Sequence, residues 1–120
     1  MFNFKPVIVY AFYGTFEKIL FVQWIPFDDG NLPLKEINVK VFPYDTNLIP
    51  ILITAPLNSS QQSQIIIKEE LNNFENASIQ ISLGNDIGLS EPSGLFELII
   101  IDVSPPVDNS TVPSQVNIFR

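Results

Sequence analysis

The chain contains no cysteine and no histidine, and these two absences remove most of the familiar chemistry. Without thiols there is no disulfide framework, no thiolate metal site and no cysteine nucleophile. Without imidazole, the usual serine triad and the usual transition-metal centres lack their central group. Basic side chains are scarce too: six Lys and Arg stand against 13 Asp and Glu, a formal net charge of −7. A phosphate backbone would be repelled by that balance, so no nucleic-acid partner is expected. No apolar run approaches the roughly 18 residues needed to span a bilayer. The opening stretch MFNFKPVIVYAFYG is interrupted by Pro6 and lacks a small-residue cleavage site, so it does not read as a secretory signal. The expectation is a soluble protein with no membrane segment and no cofactor, its compartment left open.

What is present is apolar and strand-forming. Hydrophobic residues make up 46% of the 120 and charged residues 16%, enough to pack one core in one domain. Ten Phe, ten Pro and many Ile and Val favour strands and turns over helices. Strands are predicted over residues 6–12, 17–25, 34–42, 48–55, 64–70, 77–83 and 95–103, separated by turn-forming Gly, Asn, Asp and Pro. In the third, Ile37, Val39 and Val41 alternate with Glu36, Asn38 and Lys40, as a half-buried strand requires. Pro50 cannot donate to a ladder and puts the fourth strand at a sheet edge. Residues 64–70 open with three successive Ile and read as strand, although KEELNNF over 68–74 also suits a helical turn. Several such strands at short spacing predict an all-β sandwich. It occupies residues 6–103, with an N-terminal extension over 1–5 and an extended C-terminal tail over 104–120, where Pro and small polar residues remove the periodicity.

The stretch ILFVQWIPFDDGNLP, residues 19–33, is a hydrophobic run carrying the sole Trp24, followed by Pro26 and the turn Asp28, Asp29, Gly30. Its counterpart is IQISLGNDIGLSEPS, residues 79–93, with Asn85, Gly88, Ser90 and Pro92-Ser93 at characteristic spacing. On these two motifs the chain resembles a fibronectin type III domain, an immunoglobulin-like β-sandwich. The resemblance covers roughly residues 6–103 and implies a seven-stranded antiparallel Greek-key sandwich. It makes Trp24 a core residue, puts Ile37 where the family commonly has Tyr, sets Leu71 ahead of the sixth strand, and places Ile79 and Ile81 in the core. One departure stands out. The family's sixth-strand Tyr, whose hydroxyl ties down a corner of the sandwich, corresponds to Ala77.

Fold of this kind names no reaction. Of the carboxylate pairs, Glu69/Glu70 are sequence neighbours, which on a strand point to opposite faces, and Asp28/Asp29 sit in an ordinary turn motif, so no catalytic pair is expected. Asp28, Asp29, Gly30 and Asn31, with Asn85 and Asp86 at the same end of the sandwich, form either plain turns or an oxygen-rich surface for calcium or a glycan. Three Asn-x-Ser/Thr triplets, at Asn58, Asn76 and Asn109, match the glycosylation acceptor pattern and arise readily by chance in an Asn- and Ser-rich chain. Leu98, Ile99, Ile100 and Ile101 are uninterrupted apolar residues in a strand that the resemblance sets near a sheet edge, a template for another chain. Phe119 in the tail, with Phe2 and Phe4, adds apolar anchors near the termini. The functional expectation is a non-enzymatic module with a protein partner or self-assembly. By analogy with lone sandwiches on virus particles, its setting is a virion, as capsid decoration or a tail-associated protein. The alternative is a ligand-recognition module using the loops at one end.

Overall fold

A computed structural model describes residues 5–26, 33–45, 47–71 and 76–101. Seven strands appear: β1 (Ile8–Gly14), β2 (Ile19–Trp24), β3 (Glu36–Pro43), β4 (Ile51–Pro56), β5 (Gln64–Lys68), β6 (Ala77–Gly84) and β7 (Phe96–Ile101). They follow the order β4-β3-β6-β7-β1-β2-β5 in a nearly closed sheet whose two halves enclose one core. Each predicted strand is present. The second begins at Ile19 rather than Glu17 because residues 15–18 form a tight turn, closed by the Lys18 amide donating to the Gly14 carbonyl at 2.8 Å. β5 stops at Lys68, so the helical-turn alternative is not taken up over residues 68–71. β4 is an edge strand, flanked by Pro50 as expected.

The period-2 pattern decides which side of each strand is buried. Leu20, Val22 and Trp24 of β2, Ile37, Val39 and Val41 of β3, Ile65 and Ile67 of β5, and Ile79, Ile81 and Leu83 of β6 all point inward. Trp24 is 1% exposed, and its indole Nε1 donates to the Gln62 carbonyl at 3.0 Å. Leu71 is buried as well.

Two features depart from expectation. The last strand is not at an edge. Residues 96–98 pair antiparallel with β6, whereas residues 99–101 pair in parallel with β1, opposite Phe12, Tyr13 and Gly14. β7 thus bridges the two halves, and each of residues 96–101 is paired with one neighbour or the other. β7 parts from β6 at Ala77, the first residue of that strand, and residues 90–93 line the same edge farther along. The amides of Ser90 and Ser93 donate to the carbonyls of Leu83 and Ile81, both at 2.7 Å. Their hydroxyls accept from the Leu83 and Ile81 amides, both at 2.9 Å. A serine at each position thereby replaces a paired strand residue, leaving no buried amide of β6 orphaned there.

The second departure concerns the corner after β5. Ala77 is fully buried and carries no hydroxyl, yet the corner is tied down. The hydroxyl of Tyr13, on β1, donates to the Glu69 carbonyl at 2.8 Å and accepts from the Leu71 amide at 3.0 Å. The same kind of tether is supplied from a different strand.

Candidate interaction surface

The residues singled out in the sequence divide between two regions. At one end of the sandwich, β6 and β3 meet where Gly84 lies opposite Glu36 and the Lys35 amide donates to the Gly84 carbonyl at 2.7 Å. Asn85 builds the turn that follows. Its Oδ1 accepts from the Ile87 amide at 2.9 Å and the Gly88 amide at 3.3 Å, and Gly88 takes φ 150°, a backbone conformation that side chains rarely adopt. Asp86 pairs with Lys35 at 2.9 Å, both more than half exposed, which is worth about 0–1 kcal/mol. Its carboxylate is thus already engaged by a cation. Asp28, Asp29, Gly30, Asn31 and Phe119 lie outside the described residues, as do Phe2 and Phe4. Among the described residues no group of three or more His, Cys, Asp and Glu is placed to hold a metal ion. Nor is any helix long and apolar enough to cross a membrane.

The second region is the apolar last strand. Leu98 is 3% exposed and belongs to the core, with Ile100 packed against it, so neither is available to a partner. Ile99 and Ile101 point outward and are about 40% exposed, at 43% and 39%. They do not stand alone. Across the outer face of β5, β2, β1 and β7, the register sets Ile66 opposite Phe21, Phe21 opposite Phe12, and Phe12 opposite Ile99. The Phe12 and Phe21 rings stack at 5.4 Å with an interplanar angle of 26°, and Tyr10 leans on both at 5.8 and 6.1 Å.

This aromatic ladder was not singled out from sequence. Its signal was present in YAFY, where Tyr10 and Phe12 alternate with Ala11 and Tyr13, but both sets are apolar. A bulge between Ile8 and Tyr10 shifts the register there, which further obscures the inward side.

Two concavities elsewhere among the described residues are small. One of about 220 Å³ lies on the outer face of β4, β3 and β6, lined by Lys40, Leu52, Gln80 and Leu89 among others, and another of about 210 Å³ lies beside Pro6 and Leu95. Small-molecule sites usually enclose about 300–1,000 Å³. Neither of these two concavities reaches that range.

With the strand order, the buried Trp24 and the Ser90/Ser93 edge in place, the fold is that of a fibronectin type III-like sandwich. Solved structures share it. The chain is similar to the FN1–FN3 domains of chicken CNTN1, with TM-score 0.62 and 14% identity over 87% of this chain and 36% of that one. It spans about a third of that three-domain fragment. It is also similar to a fourth FNIII domain from human, with TM-score 0.53 and 15% identity over 89% of this chain and 86% of that one. A fibronectin type III domain derived from human KIAA0970 protein gives TM-score 0.52 and 13% identity over 92% and 83% of the two chains. No protein-family model and no curated protein matches the sequence.

Proposed function

We propose that the chain is a non-enzymatic interaction module that docks into a larger assembly through the outer face of β5, β2, β1 and β7. The observation that supports this reading is the outward-facing ladder of Ile66, Phe21, Phe12 and Ile99 with Tyr10 beside it, Ile66, Ile99 and Tyr10 exposed and the two Phe half-buried. The solvated face of an antiparallel sheet is ordinarily polar, and contiguous exposed apolar patches mark contact sites. Aromatic side chains are, moreover, enriched where proteins meet. A virus particle, in which the module would serve as capsid decoration or a tail-associated protein, is the setting proposed by analogy.

Hydroxyl-radical footprinting tests the docking face. In intact source material, oxidation of Tyr10 and Phe12 is expected to fall by roughly threefold or more relative to the isolated protein at sub-micromolar concentration, as burial in an interface core requires. Equal oxidation in the two samples sinks the proposal.

A second reading, recognition of a glycan or peptide by the loops around residues 85–90, is favoured by one observation. The Asn85 Nδ2 is buried without a hydrogen-bond acceptor among the described residues, and such a donor is costly to leave unpaired. If the reading holds, saturable binding on a glycan or peptide array is expected to be lost in Asp86→Ala. Binding that survives the change excludes this surface.

A further inference from the structure

Resting on the docking-face reading above, we infer that the occupant of the β5-β2-β1-β7 face is a second copy of this chain, bound face to face about a two-fold axis. The face is a small lattice whose chemistry can be read from the register. Its central row is Ile66, Phe21, Phe12 and Ile99. On one side runs a row of Lys68, Ile19, Gly14 and Ile101. On the other side Gln64, Gln23 and Tyr10 are opposed, and Glu97 precedes Ile99 by two positions on β7, pointing outward opposite Ser78. Lys68 and Glu97 stand at diagonally opposite corners, Glu97 on the stretch of β7 that pairs with β6.

That placement is self-complementary. A two-fold axis lying in the contact plane and perpendicular to the Lys68–Glu97 diagonal sets each Lys68 over the Glu97 of the other copy. It also lays the Phe12 and Phe21 pair of one copy across the same pair of the other. An isologous contact requires this reciprocity, residue i meeting j while j meets i. Both charges are exposed, and neither makes an ion pair among the described residues. Lys18, in the turn beside the Lys68 corner, is taken up by Glu70 at 3.4 Å. Of the nearby acids, Glu17 reaches back over Gly14, its carboxylate 3.2 Å from where a Cβ there would lie, and Glu69 is half-buried just beyond β5. With Glu17 counted, the face carries one positive and two negative side chains in a chain of formal charge −7, so most of the like-charge repulsion between copies lies away from the contact.

Size sets the expected strength. Strands about 4.8 Å apart with a rise of about 3.3 Å per residue give four strands and five positions a footprint of roughly 320 Å². That is about two fifths of what each partner buries in a standard stable interface. Association should accordingly be reversible, with a dissociation constant on the order of 10–100 μM.

Sedimentation velocity on the full chain from about 1 μM to 1 mM, a span chosen to bracket that constant, is expected to show a monomer–dimer equilibrium. Ile66 is 61% exposed on an edge strand, so Ile66→Lys should fold normally by thermal melt. It should weaken dimerisation by roughly tenfold or more, because it places a charge in the apolar central row. Lys68→Glu and Glu97→Lys should each weaken it by roughly threefold to tenfold, and the double reversal should return to within about twofold of the parent. A parent chain that stays monomeric throughout overturns the inference, as does a double reversal that fails to recover. If such a monomer still shows Tyr10 and Phe12 protected in source material, only the second copy is refuted and the docking face stands. If the two rings are already protected in the isolated monomer, residues 102–120 are the occupant and the inference falls. A dimer with the expected variant pattern, but with no protection in source material, upholds the self-contact and rejects the assembly role.

Discussion

Replacing Trp24 with Ala is expected to cost about 3–5 kcal/mol, the range for truncating a large core aromatic. The side chain is 1% exposed and lies on the inner face of β2, two positions from Val22 and within the common core cluster. Truncation removes that ring and leaves a void that close-packed neighbours fill only in part. It also strips the Gln62 carbonyl of its indole donor. Gln62 is more than a passive neighbour: its amide group donates to the Leu34 and Asn58 carbonyls and accepts from the Leu34 amide, at 3.0, 2.8 and 2.7 Å. The loop before β5 and the segment entering β3 thus share one anchor beneath the indole. Since domains of this size hold only about 5–15 kcal/mol in total, the loss in Trp24→Ala is a large share of the whole and should lower the urea midpoint markedly. Trp24→Phe keeps most of the volume and should lose about 1–2 kcal/mol. Urea titration followed by circular dichroism measures both. A Trp24→Ala loss below about 1 kcal/mol would refute a core role.

Tyr13→Phe is expected to cost about 2–3 kcal/mol, a large effect for one oxygen atom. The hydroxyl makes two bonds at the corner after β5, donating to Glu69 and accepting from Leu71, across a separation of more than 50 residues. The substitution keeps the ring but orphans a buried amide, and an unsatisfied buried group costs about 1–3 kcal/mol beyond the lost bond. Each kcal/mol lowers the melting temperature of a domain near this size by about 4–8 °C, so a fall of roughly 10–20 °C should be seen by calorimetry. A shift under about 3 °C would mean that the corner is held by other contacts.

Strand positions were legible because they depend on local chemistry. In β3, charged and polar side chains alternate with Ile37, Val39 and Val41, and only one orientation keeps Glu36 and Lys40 in water. The Ser90 and Pro92-Ser93 spacing was equally readable, since residues 90–93 mend the edge of β6 through their own amides and hydroxyls. β7 was misjudged for the opposite reason. Its four apolar residues are alike in sequence, yet Leu98 and Ile100 face the core while Ile99 and Ile101 face out. Moreover, its pairing with β1 joins residues nearly the full domain apart. In the candidate site, Ile99 and Ile101 were among the residues singled out from sequence, but Tyr10, Phe12, Phe21 and Ile66 were not. Where both faces of a strand are apolar, alternation alone cannot show which face is covered.

By itself the sequence determined the all-β class, the seven strands, the Trp24 core marker and the absence of thiol and imidazole chemistry, because residue type and period-2 spacing act over a few neighbours. Tertiary structure alone decided that β7 is bridged rather than free, that Tyr13 replaces the missing corner tyrosine, and that four strands align one aromatic ladder outward. Each of these depends on register between segments far apart in the chain, and register is set by the packing of the whole core rather than by any one stretch of it.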